Sequence, residues 1–276
     1  MNNSDKRKLL QVENLSISFS QYTRGTKKRI IRPIADLHVD IGEGEVVAVV
    51  GASGSGKSLL AHAVLGILPG NAVSGGRIVY RGEELTDKRK EQLRGREISF
   101  IPQSVNYLDP LMRVGRQVQI GLDRSTAKAA QESLFARYGL KSGDGRLFPH
   151  ELSGGMLRRV LFATSVREGV KLVIADEPTP GIHPQALSEI LRQLKQFAID
   201  GAGVMLITHD IISALEIADR VVVIKDGATV EIAEAAAFEG KGERLKTEYA
   251  QSLWRALPQN DFDLEFNGRK ADGQCL

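Results

Sequence analysis

Gly51-Ala52-Ser53-Gly54-Ser55-Gly56-Lys57-Ser58 fits the spacing G-x-x-x-x-G-K-[ST], a pattern able to hold a polyphosphate. Glycines let the backbone turn its N–H groups inward with no Cβ in the way. Lys57 can reach β- and γ-phosphates as a point charge, and the Ser58 hydroxyl is a hard ligand for Mg2+. A Gly/Ser-rich loop ending by chance in Lys-Ser would look similar in isolation. The flanks argue against chance: Val46–Val50 reads as a strand buried on both faces, and Leu59–Leu65 is good helix material. The positive end of that helix would face the phosphates.

Two further clusters carry chemistry. Leu172-Val173-Ile174-Ala175 runs into Asp176-Glu177, which puts a carboxylate at a strand tip. Asp176 could hold Mg2+ opposite Ser58, while Glu177 could polarise a water beside the γ-phosphate. A polar strand end is the plain alternative, weakened by the phosphate loop in the same chain. Ser153 stands where an N-cap belongs, and Gly154 and Gly155 expose N–H groups at the start of a helical run from Leu157. This second anion site lies about a hundred residues from the first. One chain has little use for both at one nucleotide, whereas two chains placed head to tail would use both.

The elements that must position these groups follow from periodicity. Leu9–Phe19 reads as a strand, Gln21–Arg32 as a polar, basic loop, and Ile34–Ile41 as the next strand, turned by Gly42–Glu45 into the phosphate-loop strand. The helix after Ser58 should stop near Pro69-Gly70. Gly75–Gly82 contains a short strand, and Ile98–Ile101 is a buried strand ending at Pro102-Gln103. Residues 104–165 read as a helical insertion, including Thr126–Tyr138. Beyond them Lys171–Ala175, Val204–Ile207 and Val221–Ile224 alternate with helices over Pro184–Ile199 and Ile211–Ala218. That alternation predicts an α/β fold around a mostly parallel sheet. A polar tail over 259–276 follows the domain at 8–258.

Composition narrows the class. Thirty-seven basic against 34 acidic residues give a net charge of +3, too modest a field to argue for nucleic acid. Lys6-Arg7-Lys8 and Lys27-Lys28-Arg29 read as a solvated tail and a solvated loop. Cys275 is the single cysteine, which rules out a disulfide framework and fits a reducing cytoplasm. No apolar leader opens the chain and no run of about 18 apolar residues occurs, so a membrane role is expected to come through a partner.

Gly51–Ser58, Gln103, Leu152–Met156, Asp176-Glu177 and His209, in this order, resemble the nucleotide-binding subunit of ATP-binding cassette (ABC) transporters, over roughly residues 8–258. Phe148–Met156, with Met156 where most cassettes have Gln, is similar to the importer branch for peptides and nickel. So are Leu65–Pro69, Leu108–Gly115 and Thr247–Pro258. The resemblance implies a P-loop core with a β-rich edge, an ATPase using ATP and Mg2+, and a location on the cytoplasmic face of the membrane. It implies permease subunits, a second ATPase subunit and, indirectly, a solute-binding protein as partners. It makes Gln103 a contact of Mg2+ or of the attacking water, in a loop that meets the membrane subunit. His209 becomes a hydrogen-bond donor to the γ-phosphate. An aromatic should stack on adenine; Phe19 matches best and Tyr22 is the rival, although Phe19 also shares a face with Leu15 and Ile17 and could be core.

Two departures stand out. His183 replaces an aspartate that in the family helps join the two subunits, and Arg158 stands where Gln is common. A distinct second cassette is therefore expected as the partner. A poorly hydrolysing regulatory cassette and an ABC ATPase without a transport role are the alternatives.

Overall fold

The structure is a computed structural model and describes residues 7–22, 28–167, 169–178 and 184–257, without the side chains of residues 22, 28 and 184–186. The chain divides into two compact units, Met1–Ala235 and Ala236–Leu276.

In the first unit the strands are β1 (Lys8–Tyr22), β2 (Lys28–Gly42), β3 (Val46–Gly51), β4 (Ala72–Tyr80), β5 (Glu83–Glu84), β6 (Ile98–Ile101), β7 (Leu172–Asp176), β8 (Gly203–Ile207), β9 (Arg220–Lys225) and β10 (Ala228–Glu234). They form one sheet in the order β5-β4-β1-β2-β10-β9-β3-β8-β7-β6. The run from β9 to β6 is parallel. β1, β2, β4 and β5 pair antiparallel and make the β-rich edge. Every residue of β3, β7 and β8 is buried, which explains their unbroken Val/Ile/Leu runs.

Helices α1 (Lys57–Leu65), α2 (Asp87–Leu93), α6 (Pro184–Ile199) and α7 (Ile211–Leu215) connect the strands. α3 (Val114–Gln119), α4 (Ala127–Arg137) and α5 (Gly154–Ser165) lie between β6 and β7 and make that stretch helical, as its sequence texture suggests.

Some boundaries differ from the sequence expectation. The stretch expected to loop over Gln21–Arg32 is strand at both ends: β1 runs to Tyr22 and β2 starts at Lys28. Cross-strand pairs such as Phe19 with Ile31 and Ser20 with Ile30 hold it, and their exposed polar neighbours hid it. α1 ends at Leu65, before Pro69-Gly70, because Gly66 caps it and donates to Ala63 O.

At the N-terminal edge of the parallel sheet, Arg220 bridges Asp40 (Nη2–Oδ1 3.0 Å) and the buried Glu45 (Nη1–Oε1 3.2 Å). Glu45 also accepts from Gly42 N at 2.6 Å, fixing the turn that launches β3.

The second unit contains α8 (Glu248–Arg255), capped by Thr247, whose Oγ1 accepts from Ala250 N. Trp254 packs edge-on against Phe238 and donates its indole N–H to Gly240 O at 3.0 Å. Among the described residues no helix is long and apolar enough to cross a membrane.

Candidate functional site

Four neighbouring parallel strands deliver the chemical groups to one edge. Gly51 closes β3, Thr208-His209 follow β8, Asp176 closes β7 with Glu177 next, and Gln103 lies two residues past β6. Register keeps these ends level: Asp176 pairs with Ile207 and Ala175 with Ile101. Ligands of open parallel sheets bind at such carboxyl ends.

The phosphate loop is shaped by contacts that only glycine permits. A Cβ on Gly51 would lie 2.2 Å from Ile224 O, and one on Gly56, at φ +99°, 2.9 Å from Ile34 Cγ1. α1 starts at Lys57 with no side-chain cap, so its first N–H groups and dipole are left for an anion. Ser55 Oγ is buried with no hydrogen-bond partner among the described residues, a donor that a phosphate oxygen would satisfy. Lys57 is buried, and its Nζ donates to Gly51 O at 2.9 Å and Ala52 O at 3.0 Å. Burial lowers its pKa, opposed by the charges of Glu177 and Asp176. Ala52, Ser53 and Gly54 form the exposed crest of the loop.

Ser58 Oγ donates to Asp176 Oδ1 at 3.1 Å. Burial raises the Asp176 pKa, and the Ser58 hydrogen bond works against the rise. Neighbouring ligands of an octahedral Mg2+ stand about 2.9 Å apart, so Ser58 and Asp176 are spaced as two residues that would hold one such ion. Among the described residues no trio of His, Cys, Asp or Glu forms a separate metal cluster.

Glu177 is held on both carboxylate oxygens. Gln103 Nε2 donates to Oε2 at 3.1 Å, and His209 Nδ1 lies 3.3 Å from Oε1. Sequence reasoning placed these three near one nucleotide, and the structure joins them directly. Gln103 is brought to Glu177; no hydrogen bond links it to Ser58 or Asp176 among the described residues. His209 is exposed, open to a ligand in front of the sheet.

The second stretch expected to hold an anion stands apart. Ser153 caps α5, its Oγ accepting from Met156 N at 3.3 Å, and Gly154 and Gly155 are exposed with open space beside them. No hydrogen bond ties this terminus to the phosphate loop among the described residues. Phe19 is half-buried and packs against the core cluster that includes Leu15 and Ile17. The side chain of Tyr22, residues 179–183 with His183, and the tail at 259–276 lie outside the described residues.

Sequence reasoning missed two contacts. Arg158 Nη1 donates to Gln103 O at 3.2 Å, although only its departure from Gln was noticed. Gln117, buried on α3, accepts from Asp109 N and donates to Asp109 O and Met112 O, bracketing the segment after Gln103. Neither pairing leaves a local sequence signal.

The family profile described as ABC transporter matches residues 34–180. The chain is 36% identical over 240 residues to the oligopeptide transport ATP-binding protein OppD of Bacillus subtilis, covering 81% of this chain and 65% of that protein's length. It is 33% identical over 273 residues to the dipeptide transport ATP-binding protein DppD of Escherichia coli, covering 93% and 80%. In fold it is similar to a dimeric ATP-binding cassette in a post-hydrolysis state bound to ADP and Pi, with TM-score 0.70 and 24% identity over 82% of this chain and 99% of that one.

Proposed function

The chain belongs to the ABC transporter family, and we propose that it is the ATP-binding, ATP-hydrolysing subunit that energises a bacterial importer of peptides. The peptide relatives support the cargo class, and the bracketing of Glu177 by Gln103 and His209 supports hydrolysis. In this reading Lys57 leaves its carbonyl acceptors for the β- and γ-phosphates, and Ser55 and the uncapped start of α1 complete the cradle. Ser58 and Asp176 hold Mg2+, which neutralises phosphate charge when bound. Glu177 polarises the attacking water, Gln103 helps to place it, and His209 donates to the γ-phosphate.

The exposed Ser153-Gly154-Gly155 terminus suits the phosphates of a nucleotide held by a second cassette, so two ATP molecules would close a head-to-tail dimer. The altered residue at His183 favours a distinct partner cassette. Tyr107 and Leu111, 66% and 87% exposed just after Gln103, offer an apolar face to permease subunits at the cytoplasmic side of the membrane. A solute-binding protein acts only indirectly, and nucleic acid has no part.

Glu177→Gln tests the reading. The variant should bind ATP normally while hydrolysis falls about 10²-fold or more, the scale of losing a general base, and should accumulate as an ATP-bound dimer. Wild-type phosphate release from that variant would move the base elsewhere.

A further inference from the structure

Two adjacent arginines on α5 reach different neighbours. Arg159 Nη1 donates to Gly139 O at 3.3 Å, just past the end of α4. Arg158 Nη1 donates to Gln103 O at 3.2 Å. Arg158 is half-buried, and burial alone pulls its pKa below the ordinary value; no charge of the described residues offsets it. A guanidinium stripped of part of its water needs an acceptor, and among the described residues the main-chain carbonyl of Gln103 is the one it has. The same residue's side chain holds Glu177 Oε2 at 3.1 Å. A continuous path thus runs from the cap at Ser153, along a little more than one turn of α5, through Arg158 and the main chain of Gln103, to Glu177.

We propose that Arg158 is a positioning residue: it ties the main chain of Gln103 to α5, so the α5 terminus carrying Ser153-Gly154-Gly155 and the carboxylate of Glu177 move as one body. This rests on the ATPase reading above. Helices are stiff, so displacement of the α5 terminus is carried to Arg158 at its next turn. The bond to a backbone atom fixes where the Gln103 side chain starts, and hence how its amide meets Glu177. Glutamine, common here in the family, is shorter and neutral and offers two donors in place of five. The Arg at 158 therefore gives this chain a stronger tether than its relatives' usual residue.

The test uses the full-length chain together with the cassette encoded beside it, with Mg-ATP, and Lys57→Ala in this chain sets the zero of its turnover. Arg158→Ala should lower kcat about tenfold, the consequence of a slightly misplaced catalytic group, with KM for ATP changed less than about twofold. Arg158→Lys, which keeps a charged donor of similar reach, should recover most of the loss. In a Gln103→Ala background the carbonyl remains but has no amide to aim, so Arg158→Ala should there cost nothing further. Thermal unfolding checks each variant; if Arg158→Ala fails to fold, the same comparison is made with Arg158→Gln. An equal penalty in both backgrounds, unchanged kcat, or no recovery by Lys would overturn the tether. Wild-type turnover no higher than Lys57→Ala would instead overturn the ATPase reading, and the tether's role in it.

Discussion

Glu177 sits at φ +42°, a backbone region that costs a non-glycine residue about 1–3 kcal/mol. Its surroundings hold it there: its N–H donates to Ile207 O at 2.8 Å, while Gln103 and His209 take the two carboxylate oxygens. The strain turns the side chain off the strand line of β7, and two elements far apart in sequence stabilise that turn. Lys57 is the other residue under tension, buried as a cation against two carbonyls. Removing it deletes charge-assisted bonds worth about 1.5–3 kcal/mol each. Lys57→Ala should therefore weaken ATP binding about 10–100-fold and bring turnover below detection, as measured by nucleotide titration and phosphate release. Near-normal turnover would sink the phosphate-loop assignment. Lys57, Ser58 and the glycines were legible because one local octapeptide carries both geometry and charge. The meeting of Gln103, Glu177 and His209 was legible only through family resemblance, since their spacing encodes no contact. Arg158 was seen as a departure, but its carbonyl partner is set by packing and has no sequence trace.

At the scale of elements, buried parallel strands announce themselves. β6 and α6 were read with the observed ends, and β7, β8 and β9 within one residue at each end, because strands covered on both faces leave unbroken apolar runs. β10, α2 and α3 left no comparable trace. Ala228–Glu234 is mostly half-exposed, Asp87–Leu93 has no buried residue, and Val114–Gln119 is too short to show a period. α3 nevertheless carries a structural post. Gln117 makes three hydrogen bonds at 2.7–2.9 Å to the main chain of Asp109 and Met112, holding the segment that presents Leu111. Gln117→Leu fills similar space but leaves those groups to find water, so it should cost about 2–3 kcal/mol. Urea unfolding would report that loss, and hydrogen exchange should quicken at residues 109–113. An unchanged midpoint together with unchanged exchange would show that the bracket contributes nothing.

Across the whole molecule the two proposed anion sites set the question of assembly. The phosphate loop lies at the carboxyl edge of the sheet, while at the α5 terminus no described atom comes within 4 Å of where a Cβ on Gly154 or Gly155 would sit. Neither is complete alone if ATP is to be held from both sides, and the proposed head-to-tail pair would complete both. His183 bears on which chain is the partner. In the family an aspartate at this position joins the subunits, and a carboxylate can accept several N–H bonds from the opposite phosphate loop. Neutral His can accept one, and protonated His none. Each charge-assisted bond lost costs about 1.5–3 kcal/mol, and a pair of identical chains loses them at both joints. Beside a cassette that keeps the aspartate, only one joint is weakened. The chain should therefore dimerise with ATP more readily beside the cassette encoded next to it than with itself, and His183→Asp should strengthen self-association. Sedimentation of Glu177→Gln with ATP, alone and mixed with that neighbour, measures both. If the isolated chain dimerises as well as the mixture and His183→Asp changes nothing, the preference for a distinct partner is wrong.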